Sequence, residues 1–235
     1  MRNIREQMHS PCVPPAVDRV ILRVRELLLS RAILPGDKLP NENELASLFK
    51  VSRGSVREAM KVLAGYGIVT IRAGDGTRVA TENRGALFDP LLFQMLLSNP
   101  DRQALRELRQ LLELGMVPLL AAHAAPGDLP VLRAALDCSS DLVADGCTDA
   151  DRLTDADLVF HRALGAAAHN PLVERIYSFI MDFLRPTIRD TYVRSRTGDQ
   201  ALAVHTAILQ AVEAGDQAQI QEAMKQSIDS WDESQ

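Results

Sequence analysis

Residues 34–79 read LPGDKLPNENELASLFKVSRGSVREAMKVLAGYGIVTIRAGDGTRV, and this stretch decides the fold of the amino-terminal part. Pro40-Asn41 opens a first helix, with Asn41 as its N-cap and Glu42 and Glu44 near the positive end of the helix dipole. Leu45, Leu48 and Phe49 supply its apolar face at i, i+3 and i+4. Val51 buries the turn that follows, and Ser52 caps a second helix carrying Arg53, Arg57 and Lys61. Val56, Met60 and Leu63 form the inward stripe of that helix, which turns the basic residues toward solvent. Gly65 and Gly67 bracket its end, where a left-handed C-cap suits a residue without a Cβ. Val69 and Ile71 alternate as a strand, and Gly74-Asp75-Gly76 turns the chain back into Thr77–Val79. Two short helices about a tight turn, then a hairpin, is the order of a winged helix-turn-helix. The second helix of that motif is built to lie in a DNA major groove.

Working outward, residues 1–14 are polar and Pro-rich and read as a mobile arm. From Pro15 to about Ser30, Val17, Val20, Ile21, Val24, Leu27 and Leu28 recur at helical spacing, so the DNA-binding domain is expected over 15–80. Residues 81–87 read as a linker. From 88 to 231 the chain is rich in Ala and Leu, with breaks at Asn99-Pro100, Pro126-Gly127, Gly146, Asn170-Pro171, Gly198 and Gly215. These breaks divide it into six or seven helices, the pattern of an all-α bundle. Arg185-Pro186 predicts a kink or a break in the segment 172–196. The expected fold class is therefore mainly α, a winged helix-turn-helix followed by a helical bundle.

Charge divides in the same way. Residues 1–84 carry 14 Lys+Arg against 9 Asp+Glu, and the remainder carries 12 against 22, so the net −5 conceals a basic amino-terminal part. Only that part is suited to phosphate. Cys12, Cys138 and Cys147 lack metal-site spacing and fit unpaired thiols in a reducing cytoplasm. The longest apolar runs, such as 91–97, are too short to span a bilayer, so no membrane role is expected.

The stretch 34–60 resembles the GntR family of bacterial transcription regulators. Leu34-Pro35-Gly36, Leu39-Pro40, Glu42, Leu45-Ala46, Val51-Ser52-Arg53 and Val56-Arg57-Glu58-Ala59-Met60 match its signature without gaps. A bare three-helix scaffold would account for the apolar residues but not for two arginines one turn apart on the solvent face. The resemblance implies contacts to operator DNA from Ser52, Arg53, Ser55 and Arg57, with the wing tip at Gly74 near the minor groove. Asn43, and Asp75 at the wing, stand where many relatives carry a basic residue, which should weaken phosphate binding or alter the sequence read.

Downstream, ELRQLLELGMVPLLAAHAA, DADLVFHRALGAAAHN and VHTAILQAVEAGD resemble the effector domain of the FadR subfamily. Asp157 and His161 lie four apart, on one helix face. The resemblance implies that they and His205 surround a divalent metal ion, zinc or similar. The subfamily's fourth ligand position falls on Ser227, whose neutral hydroxyl is a poor donor to such an ion. Three protein ligands with open positions still make a site, particularly where a bound carboxylate completes it. Arg109, in Glu107-Leu108-Arg109-Gln110-Leu111-Leu112-Glu113, matches the subfamily's E-x-R-x-x-L-E, and its guanidinium suits a bidentate hold on a ligand carboxylate. The competing reading is an Arg109–Glu113 surface pair at i, i+4. Leu105, Leu108, Leu112 and Val117 should lie near the inner stripe of the helix 101–125, beside Arg109. His9, His123 and His169 read as structural or surface residues. The segment 88–98 looks like the additional helix of seven-helix members, and the carboxy-terminal pattern is most similar to sugar-acid (galactonate-type) operon repressors.

These features lead to the expectation of a cytoplasmic homodimeric repressor responding to a small carboxylate, with Arg109 and Ser227 at the effector. A metal-free regulator of acyl thioesters would have no use for three polar ligands. A metal-dependent hydrolase would leave the arginine-bearing helix unexplained.

Overall fold

A computed structural model describes residues 14–81 and 90–230. The chain divides into two compact units, with the boundary at Gln94/Met95. Most of the arm (1–13) and most of the linker (82–87) lie outside the described residues, as do His9 and Cys12.

In the first unit, α1 (Ala16–Leu29), α2 (Glu42–Phe49) and α3 (Arg53–Gly65) precede a hairpin of β1 (Val69–Arg72) and β2 (Gly76–Val79). The order is that of a helix-turn-helix with a β-hairpin wing. Helix α2 starts where the sequence places it. The Asn41 side chain accepts from the backbone N–H groups of Asn43 and Glu44, and the Glu44 carboxylate accepts from the Asn41 N–H, closing a capping box. The turn passes through Lys50 in the left-handed region (φ 53°), and Ser52 Oγ accepts from Ser55 N–H to start α3. Val20 and Val24 of α1, Leu45 of α2, and Val56, Ala59, Met60 and Leu63 of α3 form one core with Leu39, Val69 and Val79. Leu48 departs from expectation: it is 66% exposed, and Leu45 alone of the apolar trio is buried. An eight-residue helix packed only against α1 and α3 has a narrow inner face. The hairpin pairs Val69 with Val79 through Arg72 with Gly76, turning at Gly74 (φ 82°). Leu39 N–H donates to the Thr77 carbonyl and Gly36 N–H to that of Val79, which ties the wing to the segment leading into α2.

The helix α4 (Pro90–Leu97) comes next in sequence, followed by α5 (Arg102–His123), α6 (Leu129–Ala144), α7 (Ala150–Ala167), α8 (Pro171–Ser195), α9 (Asp199–Ala214) and α10 (Gln217–Asp229). Asp101, Asp149, Asn170 and Asp216 cap α5, α7, α8 and α10 with their side chains. Helix α7 is the centre of the bundle: Leu153, Ala156, Leu158, Phe160, Leu164 and Ala167 are buried along it, and it packs on α5, α6 and α8. Helix α8 runs through Pro186 without the break that Arg185-Pro186 suggested. Proline removes the hydrogen bond to the carbonyl four residues earlier. Here the flanking Phe183, Leu184 and Ile188 are buried, so packing supports the helix on both sides of the proline.

One close approach positions the site described below. A Cβ on Gly165 of α7 would lie 2.8 Å from Cδ1 of Tyr177 on α8, a side chain that is fully buried. Gly165→Ala is therefore expected to destabilise the protein by about 1–3 kcal/mol through overpacking. It should also shift Tyr177, measurable as a lower urea midpoint together with a changed tyrosine near-UV circular dichroism signal.

Candidate functional sites

Two sites emerge, one on each unit. On the first, α3 presents Arg53, Arg57 and Lys61 to solvent, as its inward stripe requires. Both arginines converge on Glu42, the first residue of α2. Arg57 reaches it with Nη2 at 2.7 Å and Nε at 3.0 Å, and Arg53 Nε lies at 3.0 Å. Hydrogen bonds from Arg57 and then Arg53 lower the Glu42 carboxyl to about 2, so it stays ionised at any ordinary pH. Exposed pairs of this kind add little stability. Their effect is on geometry: the two guanidinium groups are held side by side at the start of α3. Glu42 reads in sequence as a dipole-complementing residue, and its bridging role needs the packing of α2 on α3. At the wing, Asp75 pairs with Arg78 (Nε 2.9 Å) and Lys38 (3.5 Å), so it occupies two nearby cations. Gly74 sits exposed at the tip, while Ser52 and Ser55 share a 2.8 Å hydroxyl contact at the α3 N-terminus.

In the second unit the ligand atoms of Asp157, His161 and His205 lie within 4.8 Å of one another, and all three residues are buried. His161 Nε2 is 3.5 Å from Asp157 Oδ1, and His205 Nε2 is 3.7 Å from Asp157 Oδ2. The residues come from α7 and α9, and α5 and α10 add Arg109 and Ser227. Arg109 and Glu113 do pair, at 2.9 Å, but with side chains only 3% and 0% exposed, which removes the surface-pair alternative. The inner face of α5 runs through Arg109, Glu113, Met116, Val117 and Leu120, so Leu105, Leu108 and Leu112 are only its half-buried margins.

Two tyrosines complete the network, and neither was singled out by sequence. Tyr192 donates to Asp157 Oδ2 at 2.8 Å. Tyr177 donates to Glu113 Oε1 at 3.0 Å and sits 2.7 Å from His161 Nδ1. Since the Tyr177 proton goes to Glu113, the network assigns the imidazole proton to Nδ1 and leaves Nε2 with a lone pair. That lone pair faces Arg109 Nη2 at 3.2 Å, which also donates to Ser227 Oγ at 3.1 Å. Desolvation holds His161 well below the ordinary imidazole value and lowers His205 as well, so both are neutral near pH 7. His123 and His169 are structural, contacting the Ala168 carbonyl and Asp128. Cys138 and Cys147 are free thiols.

Asp157 Oδ1 is buried without a hydrogen-bond partner. An orphaned carboxylate oxygen beside two neutral imidazoles is an acceptor set that fits a divalent cation. A cavity of about 40 Å³ opens beside these residues. Arg109, Asp157, His205 and Ser227 form its buried end, while Thr197 and Gln200 are exposed at the other. Thr191, Ser195 and Ser230 line it between these ends.

Residues 16–79 match the family model described as bacterial regulatory proteins, gntR family, and residues 104–230 match the FCD domain. The chain belongs to the GntR family. This GntR regulator is 33% identical over 195 residues to the HTH-type transcriptional regulator LutR of Bacillus subtilis, covering 81% of this chain and 87% of that one. It is 28% identical over 213 residues to the transcriptional repressor NanR of Escherichia coli K12, covering 88% and 79%. Its fold is similar to that of the solved Streptococcus agalactiae GntR, with a TM-score of 0.64 and 27% identity over 91% of this chain and 97% of that one. It is thus a DNA-binding transcription regulator of the GntR/FCD type and not an enzyme. No helix among the described residues is long and apolar enough to cross a membrane.

The neutral histidines set a pH dependence. An unfolded chain takes up protons on His161 and His205 near pH 6.5, whereas the folded one does so only at lower pH. Stability should therefore fall as pH drops from 7 to 5, by at most about 1.4 kcal/mol per pH unit for each histidine. Urea midpoints measured with chelator across this window should show the loss, and His205→Gln should flatten it.

Proposed function

We propose that this regulator is a cytoplasmic, homodimeric repressor that reads a two-fold-related operator with α3 and responds to a small carboxylate held in the second unit. The observation that carries the effector reading is the convergence of Arg109, Asp157, His205 and Ser227 at the buried end of one cavity, with His161 behind them against Arg109 and Asp157. Asp157, His161 and His205 would hold a divalent ion of the zinc type, which when bound supplies positive charge and open coordination positions for a carboxylate. Charge counting supports this: Arg109, Glu113 and Asp157 sum to one negative charge, which by itself disfavours an anion. A divalent ion reverses that sign. Arg109 then provides fork-shaped donors for the same carboxylate.

The buried end favours an acid over a greasy chain, since it holds Arg109, Asp157 and His205. Along the cavity Thr191, Ser195 and Ser230 donate their hydroxyls to backbone carbonyls, and their oxygens remain acceptors beside apolar Ile188, Ala201 and Val204. Its volume accommodates roughly three water-sized groups, enough for a carboxylate and its α-substituent. The rest of a sugar acid would extend toward Thr197 and Gln200. An acyl-thioester ligand would meet the buried charges of Arg109 and Asp157 at the closed end of the cavity.

On the DNA side, Ser52, Arg53, Ser55 and Arg57 lie at the N-terminal end of α3, where recognition helices meet phosphates and base edges, and Gly74 marks the wing tip. One such helix reads a short half-site, so specificity calls for two copies. Exposed Leu172 and Ile176, four apart on α8, offer apolar area for pairing copies.

Arg53→Ala is expected to cost roughly 1–3 kcal/mol of operator binding and to relax sequence preference. Fluorescence anisotropy with operator and scrambled duplexes at physiological salt checks this; unchanged binding by both Arg53→Ala and Arg57→Ala would refute the assignment. Sedimentation at micromolar concentration should give a dimer, and a monomer forming a one-to-one DNA complex would refute the symmetric reading.

A further inference from the structure

The position that a metal ion would take on His161 faces a cation supplied by the chain itself. Arg109 Nη2 donates toward His161 Nε2 at 3.2 Å, with the Nδ1 side of that ring turned to Tyr177. The same nitrogen donates to Ser227 Oγ at 3.1 Å, and Nε of the guanidinium is fixed by Glu113 Oε1 at 2.9 Å. Arg109 is thus held at three points, and Ser227 anchors the end that caps the imidazole. An imidazole lone pair serves one partner at a time. A dication on Nε2 and a guanidinium nitrogen at hydrogen-bond distance from it also repel each other in a buried setting.

We propose that Arg109 is a displaceable internal cation: its guanidinium caps His161 Nε2 until a divalent ion enters, and then turns to the effector's carboxylate. This rests on the metal-site reading given above. Ser227 in this scheme is a positioning residue for Arg109 and not a ligand. The site gives up metal affinity to the capping contact and recovers it when a carboxylate offers Arg109 a better partner. Metal and effector then reinforce each other by the same factor in either order of addition. The guanidinium is a rigid plane, so the turn is a tilt of the whole group about its contact with Glu113.

The test is Zn²⁺ titration of the full-length protein by calorimetry with a competing chelator and no effector. The variants are Ser227→Ala and the double substitution Arg109→Gln with Glu113→Gln. The double substitution removes the cap while leaving the net charge of the site unchanged. It should tighten Zn²⁺ binding at least ten-fold, and Ser227→Ala, by loosening the cap, should tighten it about three-fold. Weaker binding by Ser227→Ala would make Oγ a ligand and overturn the proposal. Wild-type and variant proteins binding Zn²⁺ equally would overturn displacement and leave the metal site standing. Absence of binding in every protein would overturn both. Zn²⁺ binding by the variants alone would support displacement in its strongest form. If circular dichroism shows the double variant unfolded, the sign of the Ser227→Ala effect decides.

Discussion

The second unit is organised around a guanidinium held away from water. Arg109 is 2% exposed, and its partners come from across the bundle: Glu113 one turn along α5, His161 on α7 and Ser227 on α10. Burying such a group is costly unless every donor is directed. Hydrophobic replacements of similar volume often serve stability as well, which accords with the ligand role proposed for Arg109. The tyrosines belong to the same account. Tyr177 and Tyr192 each spend their hydroxyl on a buried carboxylate, Glu113 and Asp157 respectively, and so fix which oxygens remain available. Asp157 Oδ1 is what remains beside the histidines.

The first unit solves the opposite problem, that of keeping charge outside. Its core is aliphatic throughout, and the arginines of α3 stand on the far side of Val56, Met60 and Leu63. Glu42 prevents the two guanidinium groups from splaying apart despite their mutual repulsion. The cost would appear on DNA in the proposed binding mode, where this carboxylate would share its partners with the phosphates. Asp75 at the wing has a similar effect on Arg78 and Lys38. Under the proposed DNA contacts, binding would exchange internal ion pairs for external ones, and salt would act on both sides of that exchange.

The local parts of this design were legible in the sequence. Asn41 and Ser52 cap helices because short polar side chains reach the first free N–H groups, an interaction set within four residues. Asp157 and His161 share a face because they are one turn apart. His205 and Ser227 came only through family resemblance, since nothing local announces a partner 44 or 66 residues away. The tyrosines escaped notice for the same reason: Tyr177 and Tyr192 acquire meaning only when α8 lies against α7. Leu48 and Pro186 mark the other limit. Periodicity predicts an apolar face but not how much of it a neighbour covers, and a proline predicts a lost hydrogen bond but not the packing that carries its helix through.

The cavity is bounded by five helices, which bears on how a ligand becomes a signal. Arg109 lies on α5, Asp157 on α7, Ile188 and Tyr192 on α8, His205 on α9 and Ser227 on α10. A ligand with equal affinity for two arrangements of these helices would shift nothing, however tightly it bound. The contacts most able to discriminate are those that change partners on binding. In this pocket they are the terminal nitrogens of Arg109 and the unpartnered oxygen of Asp157. The apolar packing along α7, with Leu158, Phe160 and Leu164 fully buried, resists small graded adjustments. The response is therefore expected to be a switch between discrete packings, with Arg109 as the element whose two positions the ligand tells apart.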